Sequence, residues 1–117
     1  MARGNSEVAY LYNPLHPAII RMIKHVVDVA HEKGIKVFMC GEMASDPIYI
    51  PVLLGLGLDE LSMNPQSIPA VKSMVRSLNI KDIKRFTKDM LKQTSATAVM
   101  KLVQDTYGNI LYDKIYH

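Results

Sequence analysis

The sequence has one cysteine, Cys40, among its 117 residues. A single thiol makes no internal disulfide and no cysteine-based zinc site, and a reducing cytoplasm is its simplest home. No stretch approaches the roughly eighteen uninterrupted apolar residues of a membrane span, so no membrane partner is expected. The opening residues MARGNSEVAY lack the apolar segment of a secretory signal. The net charge is only +3, too small by itself to call for a polyanion. What the chain does have is a globular composition, with 49% apolar and 21% charged residues. That supports one domain with a single core.

Along the chain, Asn13-Pro14 marks a turn. His16 and Pro17 then suit the start of a helix over 17–33, with Ile19, Ile20, Ile23, Val26, Val27 and Ala30 at helical spacing on one buried face and Lys33-Gly34 at its end. Residues 35–40 are short, apolar and without alternation, which predicts a strand covered on both faces. Asp46-Pro47 starts a helix over 47–56 that is apolar nearly all round and so buried, with Gly55 and Gly57 punctuating its end. A second strand is expected at 60–63 and helices at 68–78, capped by Ser67, at 80–92, and at 96–114, capped by Thr94 or Ser95. Gly108 sits inside the last helix at a cost of about 1 kcal/mol relative to alanine, with a turn at Gly108-Asn109 as the alternative. Helices alternating with strands in the middle of the chain imply parallel strands and an α/β fold. Two parallel strands leave edges and apolar faces uncovered, which points to a piece of something larger or to self-association.

Several features have plain structural readings. A lone cysteine at the end of an apolar strand is most often a small buried hydrophobe. His25 and His31 are six residues apart, about 240° around a helix, so they do not form a two-histidine metal grip. Lys72, Arg76, Lys81, Lys84, Arg85, Lys88 and Lys92 make a basic patch, but Asp82 and Asp89 dilute it and Phe86 is its only aromatic. A solvated helix face is the better reading, and no nucleic-acid partner is expected.

The blocks MCGEMASDP and LLGLGLDELSMNPQSIPAVKSMVRSLN, together with ARGN and YLYNPLHPAII near the start, resemble the C-terminal part of the phosphoenolpyruvate-utilising enzymes. They are most similar to the phosphoenolpyruvate–protein phosphotransferases of the bacterial sugar phosphotransferase system. The resemblance covers essentially the whole chain and implies the C-terminal portion of a (β/α)8 barrel that binds phosphoenolpyruvate and Mg2+. Sites in such barrels lie at the C-terminal ends of the strands. By resemblance, Cys40 is the general acid that protonates the enolate left when the phosphoryl group departs. A thiol suits the task because it is mostly protonated at neutral pH yet able to give its proton up. Arg3, in the Arg-Gly-Asn segment, corresponds to an arginine that holds the substrate phosphate. The forked donors of a guanidinium bind phosphate at two points.

The departures from the family pattern are also informative. The family's metal ligands, an Asn-Asp pair before the Arg-Gly-Asn segment, and the phosphorylated histidine with its domain have no counterpart here, and Ser45 replaces a glycine common in the loop. The expectation is a C-terminal fragment, 1–117, inactive alone. Its parent would bind phosphoenolpyruvate or pyruvate and, through the missing N-terminal domain, a phosphocarrier protein. The alternatives are a related enzyme interconverting pyruvate and phosphoenolpyruvate, or a non-catalytic interaction or dimerisation module. Homo-oligomerisation is expected.

Overall fold

Pro17 opens the first helix where its missing N–H costs nothing, and the His16 ring nitrogen Nδ1 accepts the Ala18 N–H at 3.1 Å. In the computed structural model, which describes residues 13–115, this helix (α1) spans Pro17–Glu32 and buries Ile20 and Val27. Arg3 lies outside the described residues. Strand β1, Phe38–Cys40, runs parallel to β2, Glu60–Ser62, in the register Phe38↔Glu60, Met39↔Leu61 and Cys40↔Ser62. Between them come a short helix α2 (Glu42–Ser45), a 3-10 turn (Pro47–Tyr49) and helix α3 (Ile50–Leu56). After β2 follow a second 3-10 turn (Pro65–Ser67), α4 (Ile68–Arg76), α5 (Ile80–Leu91), α6 (Ala96–Ile110) and one wide π-helical turn (Leu111–Ile115).

Helix α3 is the centre of the core. Ile50, Val52, Leu53 and Leu56 are fully buried, and the helix packs against α1, α4, α5 and α6. Each such side chain contributes about 1.5–3 kcal/mol by leaving water. Gly55 lets α5 approach closely, since a Cβ there would overlap Thr87 Oγ1. It is thus a packing residue inside α3 and not a terminator. Gly57 ends the helix in the left-handed region, at φ +91°.

The fold is α/β and mostly helical, with two parallel strands as expected, but several boundaries differ. Residues 35–37 are not strand: the Ile35 N–H turns back to Ala30 O and the Val37 N–H goes to the Asp59 side chain, so neither enters the ladder. Met63 likewise falls outside β2. The helix read as 47–56 is two pieces, because Pro51 has no N–H and sits in the first turn of a new helix. Ser67 does not cap α4: its hydroxyl donates to Asn64 Oδ1 at 2.9 Å. Helix α4 tightens after Arg76, where Ser77 and Leu78 donate to Met74 and Val75 three residues back. Of the two candidate caps, Ser95 serves α6, accepting from Ala98 N–H at 3.1 Å. Gly108 lies within that helix and not in a turn; the regular helix gives way at Leu111.

Strand alternation gives the sheet two different faces. Met39 and Leu61 point to the helices and pack on the core. Phe38, Cys40, Glu60 and Ser62 share the other face, which is open; Phe38 is 68% exposed. Two strands do not close into a barrel.

Candidate functional site

The starts of the two strands are tied together first. Asp59 N–H donates to Val37 O at 2.8 Å, and Val37 N–H donates to Asp59 Oδ2 at the same distance. His31, in the last turn of α1, meets the same oxygen through Nε2 at 2.7 Å. These contacts hold the Asp59 carboxyl below its ordinary range, the Val37 amide most strongly and then His31. This three-part junction fixes the parallel register, and the register sets Cys40 beside Ser62 at the far ends of the strands.

Beyond Cys40 the chain turns sharply. Gly41 has φ +99° with nothing within 4 Å of where a Cβ would stand, so it is the backbone conformation that demands glycine. The turn leads into α2, whose Ser45 Oγ donates back to Gly41 O at 3.0 Å. On the neighbouring strand, Ser62 leads to Met63 and Asn64, and Asn64 is held by the Ser67 hydroxyl. Cys40, Gly41, Glu42, Ser45, Ser62, Met63 and Asn64 together line an open recess of about 430 Å³.

The Cys40 thiol is exposed and makes no disulfide. The plain expectation of a small buried hydrophobe is therefore corrected. The cause is alternation: Met39 takes the core-facing place, and Cys40 falls on the open face. The recess offers a thiol, two hydroxyls, an amide and the Glu42 carboxylate around one opening. That set has the chemistry to exchange a proton with a small molecule and to hydrogen-bond its oxygens. Arg3 is not among the described residues. Ser62 and Asn64 were not singled out from sequence, although both follow from asking what else ends a parallel strand at the same level as Cys40. The pairing of His31 with Asp59 joins residues 28 positions apart and has no local signal in the sequence.

A sequence model described as "PEP-utilising enzyme, PEP-binding domain" matches residues 1–80. This chain belongs to that family, as the motifs around Cys40 indicated. Among curated proteins, it is 47% identical over 106 residues to the "Phosphoenolpyruvate-protein phosphotransferase" of Geobacillus stearothermophilus, covering 91% of this chain and 18% of that protein. It is 43% identical over 105 residues to the protein of the same name from Bacillus subtilis (strain 168), covering 90% and 18%. With that of Haemophilus influenzae it shares 39% identity over 103 residues, covering 88% and 18%. The chain spans less than a fifth of the length of these relatives. Among the described residues no helix is long and apolar enough to cross a membrane.

Proposed function

We propose that this chain is the C-terminal portion of the (β/α)8 barrel of a phosphoenolpyruvate–protein phosphotransferase and that it carries the proton donor for the enolate. The observation that supports this most is the exposed Cys40 thiol beside Ser62, in a recess at the strand ends, where barrel enzymes carry their chemistry.

In the proposed reaction a histidine nitrogen attacks the phosphorus of phosphoenolpyruvate. An N–P bond forms, the bond from phosphorus to the enol oxygen breaks, and the pyruvate enolate is left. The Cys40 S–H gives its proton to the methylene carbon, a C–H bond forms, and pyruvate leaves. The resulting thiolate recovers a proton from water. In reverse, the thiolate removes a proton from the pyruvate methyl group. Arg3 is proposed to hold the phosphate, and the phosphoryl group passes on to a phosphocarrier protein through a domain outside this chain.

Magnesium is the metal that this reading implies. Mg2+ takes about six oxygen ligands and is usually held by one or two carboxylates together with substrate phosphates. The recess offers one carboxylate, Glu42, and among the described residues no three His, Cys, Asp or Glu side chains cluster as a metal group. That donor set does not make a magnesium site, and no step is assigned to the metal. The ligands are proposed to lie in the rest of the protein, so the chain alone is expected to be inactive.

The test is to replace the matching segment of the Geobacillus stearothermophilus protein with this chain and assay pyruvate release from phosphoenolpyruvate. A positioned general acid contributes about 10²–10⁴-fold, so Cys40→Ala is expected to slow release by at least about 100-fold. An unchanged rate would overturn the assignment, and pyruvate release by the isolated chain would overturn its inactivity.

A second reading, a non-catalytic interaction or dimerisation module, draws on a different observation. Leu61, Met63, Ile68, Val71 and Val75 line an apolar groove of about 510 Å³ at the free side of β2, and Met22, Val26, Ile35 and Phe38 are exposed elsewhere. Apolar surface of this kind seeks cover. Sedimentation separates the cases: self-association is expected for the isolated chain, and a monomer at high concentration would count against this second reading.

A further inference from the structure

Of the two hydroxyls that line the recess at the strand ends, one is already used. Ser45 Oγ donates to Gly41 O at 3.0 Å. The other, Ser62, is exposed and makes no hydrogen bond with any described residue. The register sets it opposite Cys40, which is exposed as well. Neighbouring parallel strands run about 4.8 Å apart, and residues paired in register point to the same side of the sheet, here the open one. Rotation about χ1 between staggered positions is enough to bring Oγ toward Sγ. Asn64, the other side-chain donor around the recess, lies two residues further on, past the last in-register pair.

No bond joins Cys40 and Ser62 in the structure. A neutral thiol gives little reason for one, because its sulfur is a weak acceptor. A thiolate is different: hydrogen bonds to an ionised group are roughly twice as strong as neutral ones. The charged groups around the pair are Glu42 on the recess, Glu60 on the same face of β2, and Lys72 in the groove that Ser62 also lines. The two carboxylates oppose a negative sulfur and the ammonium favours it.

We propose that Ser62 is a positioning residue for the proton transfer: once Cys40 has given up its proton, the Ser62 hydroxyl turns and donates a hydrogen bond to the thiolate sulfur. This rests on the reading of Cys40 as the proton donor to the enolate. Ser62 loses no proton and forms no covalent bond. It holds the sulfur in place while the charge lasts, and the hydrogen bond is released when water returns the proton to the thiol. By stabilising the product of the transfer, it makes the thiol readier to give its proton. Ser62 acts only through Cys40 and is not assigned a contact with substrate.

The test needs no phosphoryl transfer. The thiolate is the form that iodoacetamide alkylates, and Cys40 is the chain's single thiol. Its alkylation rate in the full chain, followed against pH, therefore reads the thiolate. Losing a hydrogen bond to a charged group is expected to lower the thiolate population roughly tenfold. The more basic sulfur left behind is a better nucleophile, which offsets about half of that on a logarithmic scale. Ser62→Ala is thus expected to slow alkylation at neutral pH about threefold and to move the pH profile to higher pH, with Glu42, Glu60 and Lys72 all in place. Ser62→Thr is expected to restore both. Ser62→Val has the shape of threonine without its hydroxyl and is expected to behave like alanine, so that pair decides if alanine loosens the strand. A profile unchanged in Ser62→Ala, or valine and threonine variants that coincide, would overturn the proposal. A profile that moves with Asn64→Leu and not with Ser62→Ala would make the amide the donor and overturn it equally. Failure of the underlying reading looks different: Ser62→Ala would still move the alkylation profile, but pyruvate release by the chimaeric enzyme would not respond to Cys40→Ala. That result would remove Ser62 from the reaction together with Cys40.

Discussion

Replacing Gly55 by alanine puts one methyl group where the structure has no room for it. An ideal Cβ would overlap Thr87 Oγ1 and come within 3.3 Å of Thr87 Cβ. Thr87 is buried, and its hydroxyl donates to Ile83 O at 2.7 Å, so it yields only by giving up that bond or by pushing α5 away from α3. Overpacking costs about 1–3 kcal/mol, and a lost hydrogen bond adds about 1 kcal/mol. Alanine recovers up to about 1 kcal/mol through its better helix propensity. The net expectation is a loss of about 1–3 kcal/mol, or a melting temperature lower by about 4–12 °C at roughly 4 °C per kcal/mol. Thr87→Ala alone opens the space. The double variant is then expected to match or exceed Thr87→Ala, with a coupling energy of about 1–3 kcal/mol. Urea unfolding of all four proteins, followed by circular dichroism, measures it. A neutral Gly55→Ala, or strict additivity in the cycle, would refute the proposed closeness of the two helices.

Gly41→Ala is expected to cost about 1–3 kcal/mol through backbone strain alone, since its φ of +99° is hostile to a side chain although the space is open; thermal unfolding reads it. Stability is expected to fall in acid. Asp59 is held below its ordinary value, so its contribution is present above the unfolded carboxylate pKa of about 3.9 and lost as pH falls through the lower folded value. Asp59→Asn is expected to flatten that part of the pH–stability curve, and an identical curve would remove the junction from the account. The exposed Cys40 is expected to react with iodoacetamide in the native protein within about tenfold of its rate in urea. A native rate slower by about a hundredfold would mean that the sulfur is covered.

The parts of the fold set by local chemistry were readable in the chain. His16-Pro17, Asp46-Pro47 and Ser95 mark helix starts through side-chain caps and proline, and all three act as the spacing suggests. The apolar run at 47–56 announced a buried helix, and its part from Ile50 to Leu56 is one. What failed depended on distant partners. The strand expected at 35–40 is short because Ala30 and Asp59 take the amides of Ile35 and Val37, which no window around residue 36 displays. Gly55 looked like punctuation because its reason for being glycine is Thr87, on another helix. At the candidate site, Cys40 was found through its motif, whereas Ser62 and Asn64 needed the strand register to bring them alongside.

Hydrogen transfer between Cys40 and the methyl carbon of pyruvate is the central step of the proposed reaction. The most direct measurement is NMR of pyruvate methyl exchange in 2H2O, using the Geobacillus stearothermophilus protein with this chain in place of its matching segment. Deuterium is expected to enter the methyl group with Cys40 present, and its entry to fall by at least about 100-fold in Cys40→Ala while the protein stays folded. Exchange that proceeds at full rate without the thiol would contradict the account.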